Sequence, residues 1–198
     1  MALWGTTDAD EAKPKWLTTA EKKEVYANAS GWVVEAGSSM SGNGNTSAQA
    51  EVLACIGGLS TGIGAADITE IEWITTEADK SAGFTLSVRV RYNEPVDVVT
   101  TGGTPTLAVT NGNQGTGSGR GPHSLSYASG TGTNELVFSL TIAAANAATN
   151  ANDVLVIGAQ NIALNSGTMK DATGTASNAS VAISADQGTA AGSITVVA

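Results

Sequence analysis

Apolar and polar residues alternate most regularly over Phe84–Tyr92, where Phe84, Leu86, Val88, Val90 and Tyr92 interleave with Thr85, Ser87, Arg89 and Arg91. A period of two sends successive side chains to opposite faces, so this stretch predicts a half-buried β-strand with its arginines turned outward. Ile68–Thr75 repeats the pattern with Ile and Trp set against Thr and Glu. Shorter runs rich in β-branched residues predict further strands at Val96–Thr100, Thr106–Thr110, Ser124–Ala128, Glu135–Ile142, Val154–Ala159, Ala179–Ser184 and Ser193–Val197. Between them lie Gly102-Gly103, Gly112-Asn113, Gly130-Thr131-Gly132, Asn165-Ser166-Gly167 and Thr173-Gly174, all turn-forming sequences. Evenly spaced short strands separated by turns predict a β-sandwich from Asp67 onward.

Residues 1–66 follow a different pattern and are read as a separate N-terminal part, with 67–198 as the sandwich. Thr18-Thr19-Ala20-Glu21 has the Thr-x-x-Glu spacing of a capping box and predicts one short helix running to about Ala27, with Gly31 as its stop. Trp32–Glu35 and Glu51–Ile56 predict two short strands, and the Gly/Ser/Asn-rich stretch 37–45 predicts the loop of a small hairpin. Three of the four tryptophans, Trp4, Trp16 and Trp32, lie here. An arm and a hairpin offer little core of their own, and a large side chain left in water forgoes roughly 1.5–3 kcal/mol. The indoles are therefore expected to pack elsewhere, on a neighbouring subunit or back on the sandwich.

Composition supports an all-β body. Aromatics make up 5% and charged residues 14% of the 198 residues, and long surface helices need more Glu, Lys and Arg than that. The net charge is −9, and the five basic residues after position 66, Lys80, Arg89, Arg91, Arg120 and Lys170, form no cluster, so nucleic acid is not an expected partner. No apolar run reaches the length of a membrane span. The start, Met1-Ala2-Leu3-Trp4-Gly5 followed by Asp8, Asp10 and Glu11, lacks the basic and apolar regions of a secretory signal, and synthesis and folding in the cytoplasm are expected. Cys55 is the single cysteine; within Val52–Ile56 it reads as a small buried hydrophobe.

Candidate chemistry is sparse. The one histidine, His123, follows Pro122 at the end of a glycine-rich stretch and has no second His or Cys with which to bind zinc; it reads as a solvated loop residue, with Gly117 and Arg120 in the same exposed loop. A Ser-His-Asp arrangement would have only His123 to draw on, with no second histidine to share the role, which argues against hydrolase chemistry. Gly115–Gly121 lacks the Gly-Lys-Ser/Thr ending of a phosphate-binding loop. Asp8, Asp10, Glu11, Asp153 and Asp171 carry the oxygens calcium requires, yet no Asp-x-Asp-x-Asp-Gly loop occurs, and turn capping by these side chains is the simpler reading. No metal, no cofactor and no catalytic residue are expected. Lys13, Lys15, Lys22 and Lys23 read as solvated charge or as a basic surface that meets an acidic partner.

The stretch Phe84–Tyr92 followed by Asn93-Glu94-Pro95-Val96 and Gly103-Thr104-Pro105-Thr106-Leu107 resembles the immunoglobulin-like repeats of large bacterial surface and adhesin proteins. Tyr127–Phe138 and Ile162–Asp171 resemble two further blocks of that family in the same order; the likeness covers about residues 67–184 and is interrupted at Gln114–Pro122. Met1–Gly5, Pro14-Lys15, Gly31-Trp32-Val33 and Glu51-Val52-Leu53 are similar to the opening of small virion structural proteins of marine cyanophages. Together the two resemblances imply a mostly β chain, an immunoglobulin-like β-sandwich preceded by an extended arm, a short helix and a small hairpin. They imply a non-enzymatic phage capsid decoration protein, made in the host cytoplasm and placed on the virion surface. Its expected partner is the major capsid protein or another virion protein, with homo-oligomerisation left open. Trp4, Trp16, Trp32, Lys13 and Lys15 are the expected anchor. A tail, neck or fibre component, or an adhesion module that binds a cell-surface ligand, is the alternative.

Overall fold

The computed structural model describes residues 13–113, 122–144, 149–173 and 176–198. Strand accounts for 47% and helix for 9%, and the principal sheet curls into a β-sandwich, as the alternation predicts.

The N-terminal unit begins with α1 (Thr19–Lys23), whose capping box is formed on both sides: Glu21 N donates to Thr18 Oγ1 at 3.3 Å and Thr18 N donates to Glu21 Oε2 at 2.7 Å. The helix ends earlier than the expected Ala27. Val25–Asn28 instead forms β1, which pairs antiparallel with β2 (Gly31–Val34), and that ladder takes up the backbone groups a longer helix would have used. Gly31 accordingly opens a strand rather than stopping a helix. Its φ is +135°, and a Cβ there would collide with the Ala54 carbonyl of β3 (Glu51–Cys55), the third strand of this sheet. The expected hairpin is thus β2–β3, extended by β1. A one-turn helix, α2 (Leu59–Gly62), closes the unit around Leu17, Val25, Ala27, Trp32, Val34 and Leu59.

The sandwich contains β4 (Ile68–Trp73), β5 (Ala78–Asp79), β6 (Phe84–Val99), β7 (Thr106–Asn113), β8 (His123–Ser129), β9 (Thr133–Ile142), β10 (Asp153–Val156), β11 (Gln160–Asn161), β12 (Thr168–Asp171), β13 (Ala182–Ile183), α3 (Ala185–Ala191) and β14 (Ser193–Val197). The nine-stranded sheet runs β12-β6-β9-β8-β7-β10-β14-β5, with β4 also paired to β6. All its pairs are antiparallel except β14–β5. Inward residues from both ends of this path, Leu86, Val88, Leu136 and Phe138 with Leu107, Leu155, Ile194 and Val196, meet in a single core. Each large side chain so enclosed contributes roughly 1.5–3 kcal/mol.

Two expected strands, Phe84–Tyr92 and Val96–Thr100, form the one 16-residue strand β6. Its register against β9 shifts between Arg91 and Val96, and this irregularity accommodates Pro95 in a central strand. On its other side β6 changes partner at the same bend, from β4 along Val88–Tyr92 to β12 along Val96–Val99. The helix α3 was not expected, although Ser184 and Gln187 form a reciprocal capping box. Only Ala182–Ile183 of the expected strand Ala179–Ser184 pairs as one.

Candidate functional site

The N-terminal unit and the sandwich meet across the polar face of β6. Residues Val90–Val96 are buried without alternation: the N-terminal unit, with β1 packed against β6, supplies Lys23 and Glu35 to Arg91, while Asp67 N and Ala172 N bond to Asn93 Oδ1 and Pro95 O. Arg91 is consequently enclosed. Its Nη1 donates to the Lys23 carbonyl at 3.0 Å and to Glu35 Oε1 at 3.1 Å, its Nη2 donates to Glu72 Oε1 at 3.3 Å, and it also pairs with Glu135. Burial opposes its charge, but Glu135, Glu35 and Glu72 outweigh that and hold it protonated above the usual arginine range. Arg89 pairs with Glu72 at 2.8 Å and with Glu135 at 3.3 Å, and Lys23 pairs with Glu70. Burial and the Glu35 charge raise the Glu135 carboxyl, with the two arginines pulling the other way. Asn134 Nδ2 donates to Glu35 Oε1 at 2.8 Å.

Beside this network a groove of about 620 Å³ is lined by Lys13, Lys22, Trp32, Asp67, Glu70 and Gln187, among others. Lys13 Nζ donates to the Lys22 carbonyl at 2.7 Å, and burial drives its amine down to about 8 against the opposing pull of Glu35. Trp32 Nε1 is buried with no acceptor.

At the bend of β6, Glu94 is fully buried, and Asp171 at the end of β12 is almost so. Thr173 Oγ1 lies 3.1 Å from Glu94 Oε2 and 3.1 Å from Asp171 Oδ1, and Glu94 Oε1 has no hydrogen-bond partner. Desolvation, the Asp171 charge and, more weakly, Asp67 push the Glu94 carboxyl up to about 8, against the Thr173 hydrogen bond. Among the described residues no group of three or more His, Cys, Asp or Glu is placed to hold a metal ion, and no helix is long and apolar enough to cross a membrane.

Several expected positions need correction. Trp32 is no anchor: it lies in the middle strand β2, covered on both faces, and is the largest fully buried side chain among the described residues. His123 is not a solvated loop residue: it begins β8, is buried, and its Nε2 lies 3.0 Å from Thr149 Oγ1. Burial lowers its pKa, against the nearby Asp153 charge. Histidine, hydroxyl and carboxylate thus stand together, with Thr149 and Asp153 fully enclosed. Cys55 is exposed rather than buried, because β3 is an edge strand. Lys13 is turned into the groove at the join.

Of the expected anchor, Trp16 is 59% exposed and Lys15 is exposed, while Trp4 lies outside the described residues, as do Gly117 and Arg120. Val52 on β3 is 53% exposed, so this unit presents Trp16 and Val52 to solvent. Two other edges of the fold are covered: α3 packs on β4, with Gln187 Nε2 donating to the Ile68 carbonyl at 2.7 Å, and Ala179 N donates to Met169 O of β12 at 3.1 Å. The outer edge of β3 has no such cover among the described residues.

The charged join was missed at the sequence level, although its signal was present. Glu72 stands opposite Arg89, Glu70 opposite Arg91, and Arg91 opposite Glu135 in the strand registers, a cross-strand complementarity legible once the strands are aligned. Comparison with protein-family models, with curated proteins and with solved structures gives no match.

Proposed function

We propose that this chain is a non-catalytic structural component of a virus particle, a decoration protein of a phage head, which docks through its N-terminal unit and carries the β-sandwich outward. The observation that supports this reading is the exposure of two large apolar side chains on the N-terminal unit, the Trp16 indole and Val52, the latter on the five-residue edge strand β3. Large apolar groups and an open strand edge are what a partner subunit covers. Lys15 beside Trp16 adds a positive charge suited to an acidic partner surface. The N-terminal likeness to cyanophage virion proteins directs the reading to a capsid, with the major capsid protein or a neighbouring virion protein as the docking surface. No cofactor enters this role.

Quantitative mass spectrometry of purified particles tests it. A fixed ratio to the major capsid protein is the expected result; a few copies per particle assigns the chain to the tail, neck or a fibre, and absence from particles refutes the proposal. Trp16→Ser is expected to weaken particle binding at least tenfold.

A further inference from the structure

We propose that Glu94 and Asp171 share a single proton through the Thr173 hydroxyl, and that this proton fastens the chain following β12 to the bend of β6. The argument begins with a count of hydrogens. Thr173 Oγ1 lies 3.1 Å from a carboxyl oxygen on each side and has one hydrogen to give. With both acids ionised, one of the two contacts would set lone pairs of the hydroxyl against a carboxylate. A protonated Glu94 removes the conflict: it donates to Thr173, and Thr173 donates to Asp171.

Asp171 is the accepting member, since its Oδ1 also accepts from Thr173 N at 2.7 Å. Glu94 is the neutral one. It has no access to solvent, and its Oε1 finds no donor, a condition that a carbonyl oxygen tolerates far better than a charged one. The charged groups that act on Glu94 from the elements around it are Asp171 on β12 and Asp67 just before β4, both negative. Arg91, three residues earlier on β6, is occupied by Glu35, Glu72 and Glu135. The elevated carboxyl of Glu94 agrees with this arrangement.

The catch sits among the bonds that tie the chain after β12 to the rest. Ala172 N donates to Pro95 O at 3.0 Å, Tyr92 Oη to Ser180 O at 2.9 Å, and Ser180 N to Ala66 O at 2.8 Å. Ala66 adjoins Asp67, whose N donates to Asn93 Oδ1 at 2.7 Å, so the catch lies next to the join between the two units. Loss of the proton sets two enclosed negative charges side by side and loosens this segment. The sign follows from linkage: the folded chain holds a proton that the unfolded chain releases near 4.5, so stability declines from there as pH rises and levels off above about 8.

Carbon-13 NMR of the glutamate carboxyl groups across a pH titration of the full chain tests the proposal, with Glu94→Gln identifying the resonance. Glu94 is expected to titrate near pH 8, and Asp171→Asn is expected to lower that inflection by at least one unit. In denaturant unfolding the wild type is expected to lose stability from acid to alkaline pH, and Glu94→Gln to flatten that loss. A Glu94 inflection in the ordinary carboxylate range overturns the proposal. So does recovery of the alkaline loss on adding calcium, which would show that a cation joins the two acids. Should Glu94→Gln fail to fold, the wild-type titration with and without Asp171→Asn still decides.

Discussion

The N-terminal unit closes around six buried side chains, Leu17, Val25, Ala27, Trp32, Val34 and Leu59, whereas the sandwich encloses the inward face of a nine-stranded sheet. The small unit gains its further hold through charge, because β1 lies across the polar face of β6, where Lys13, Lys23, Arg89 and Arg91 are set among Glu35, Glu70, Glu72 and Glu135. Positive and negative groups thus face one another across a partly enclosed join. The difference shows how an outward strand face becomes an interface: its alternation keeps the polar residues, and the covering unit supplies their partners.

The comparison breaks most completely if the two parts are separated. Residues 67–198 alone are expected to unfold cooperatively in denaturant, while residues 1–66 alone are expected to show no cooperative transition by circular dichroism. A folded 1–66 fragment would mean that the charged join is dispensable. Next in size is Arg91→Ala, which leaves Glu35, Glu72 and Glu135 with one arginine fewer in a partly enclosed site. Removing one partner of a buried ion network costs about 3–5 kcal/mol, and part of that is relieved here because the glutamates keep some contact with water. Hydrogen exchange is expected to place the loss first in β1 and β2 and later in β9; uniform loss would dissolve the distinction between the units.

The smallest effect belongs to the sandwich alone. His123 has its pKa lowered by burial, so the folded chain resists protonation, and the stability it contributes is full above the ordinary value of 6.5 and lost as pH falls below it. Thermal unfolding at mildly acid pH is expected to start earlier in the wild type than in His123→Gln, with α1 and β1 exchange unaffected. An identical acid profile in the two proteins would remove His123 from the acid response.

Much of the sandwich is readable along the chain. The Phe84–Tyr92 alternation marks the core strand, Leu86, Val88, Val90 and Tyr92 lie where the period puts them, and the Thr18/Glu21 spacing marks the start of α1. These succeed because periodicity and capping are local properties, decided by residues within a few positions of one another. Burial of the polar face is not local. Arg91 reads as a solvent-facing arginine until β1 is laid over it, Trp32 as an exposed anchor until β1 and β3 flank it, and His123 as a loop residue until β8 and Thr149 enclose it. Cys55 reads as core and is exposed because its strand lies at an edge, and the environment of Glu94 forms only when β12 returns to the bend of β6. The order of apolar and polar residues therefore determined which segments are strands and which face of each is apolar. Tertiary structure alone decided which polar faces were covered, because that depends on elements brought together from distant parts of the chain.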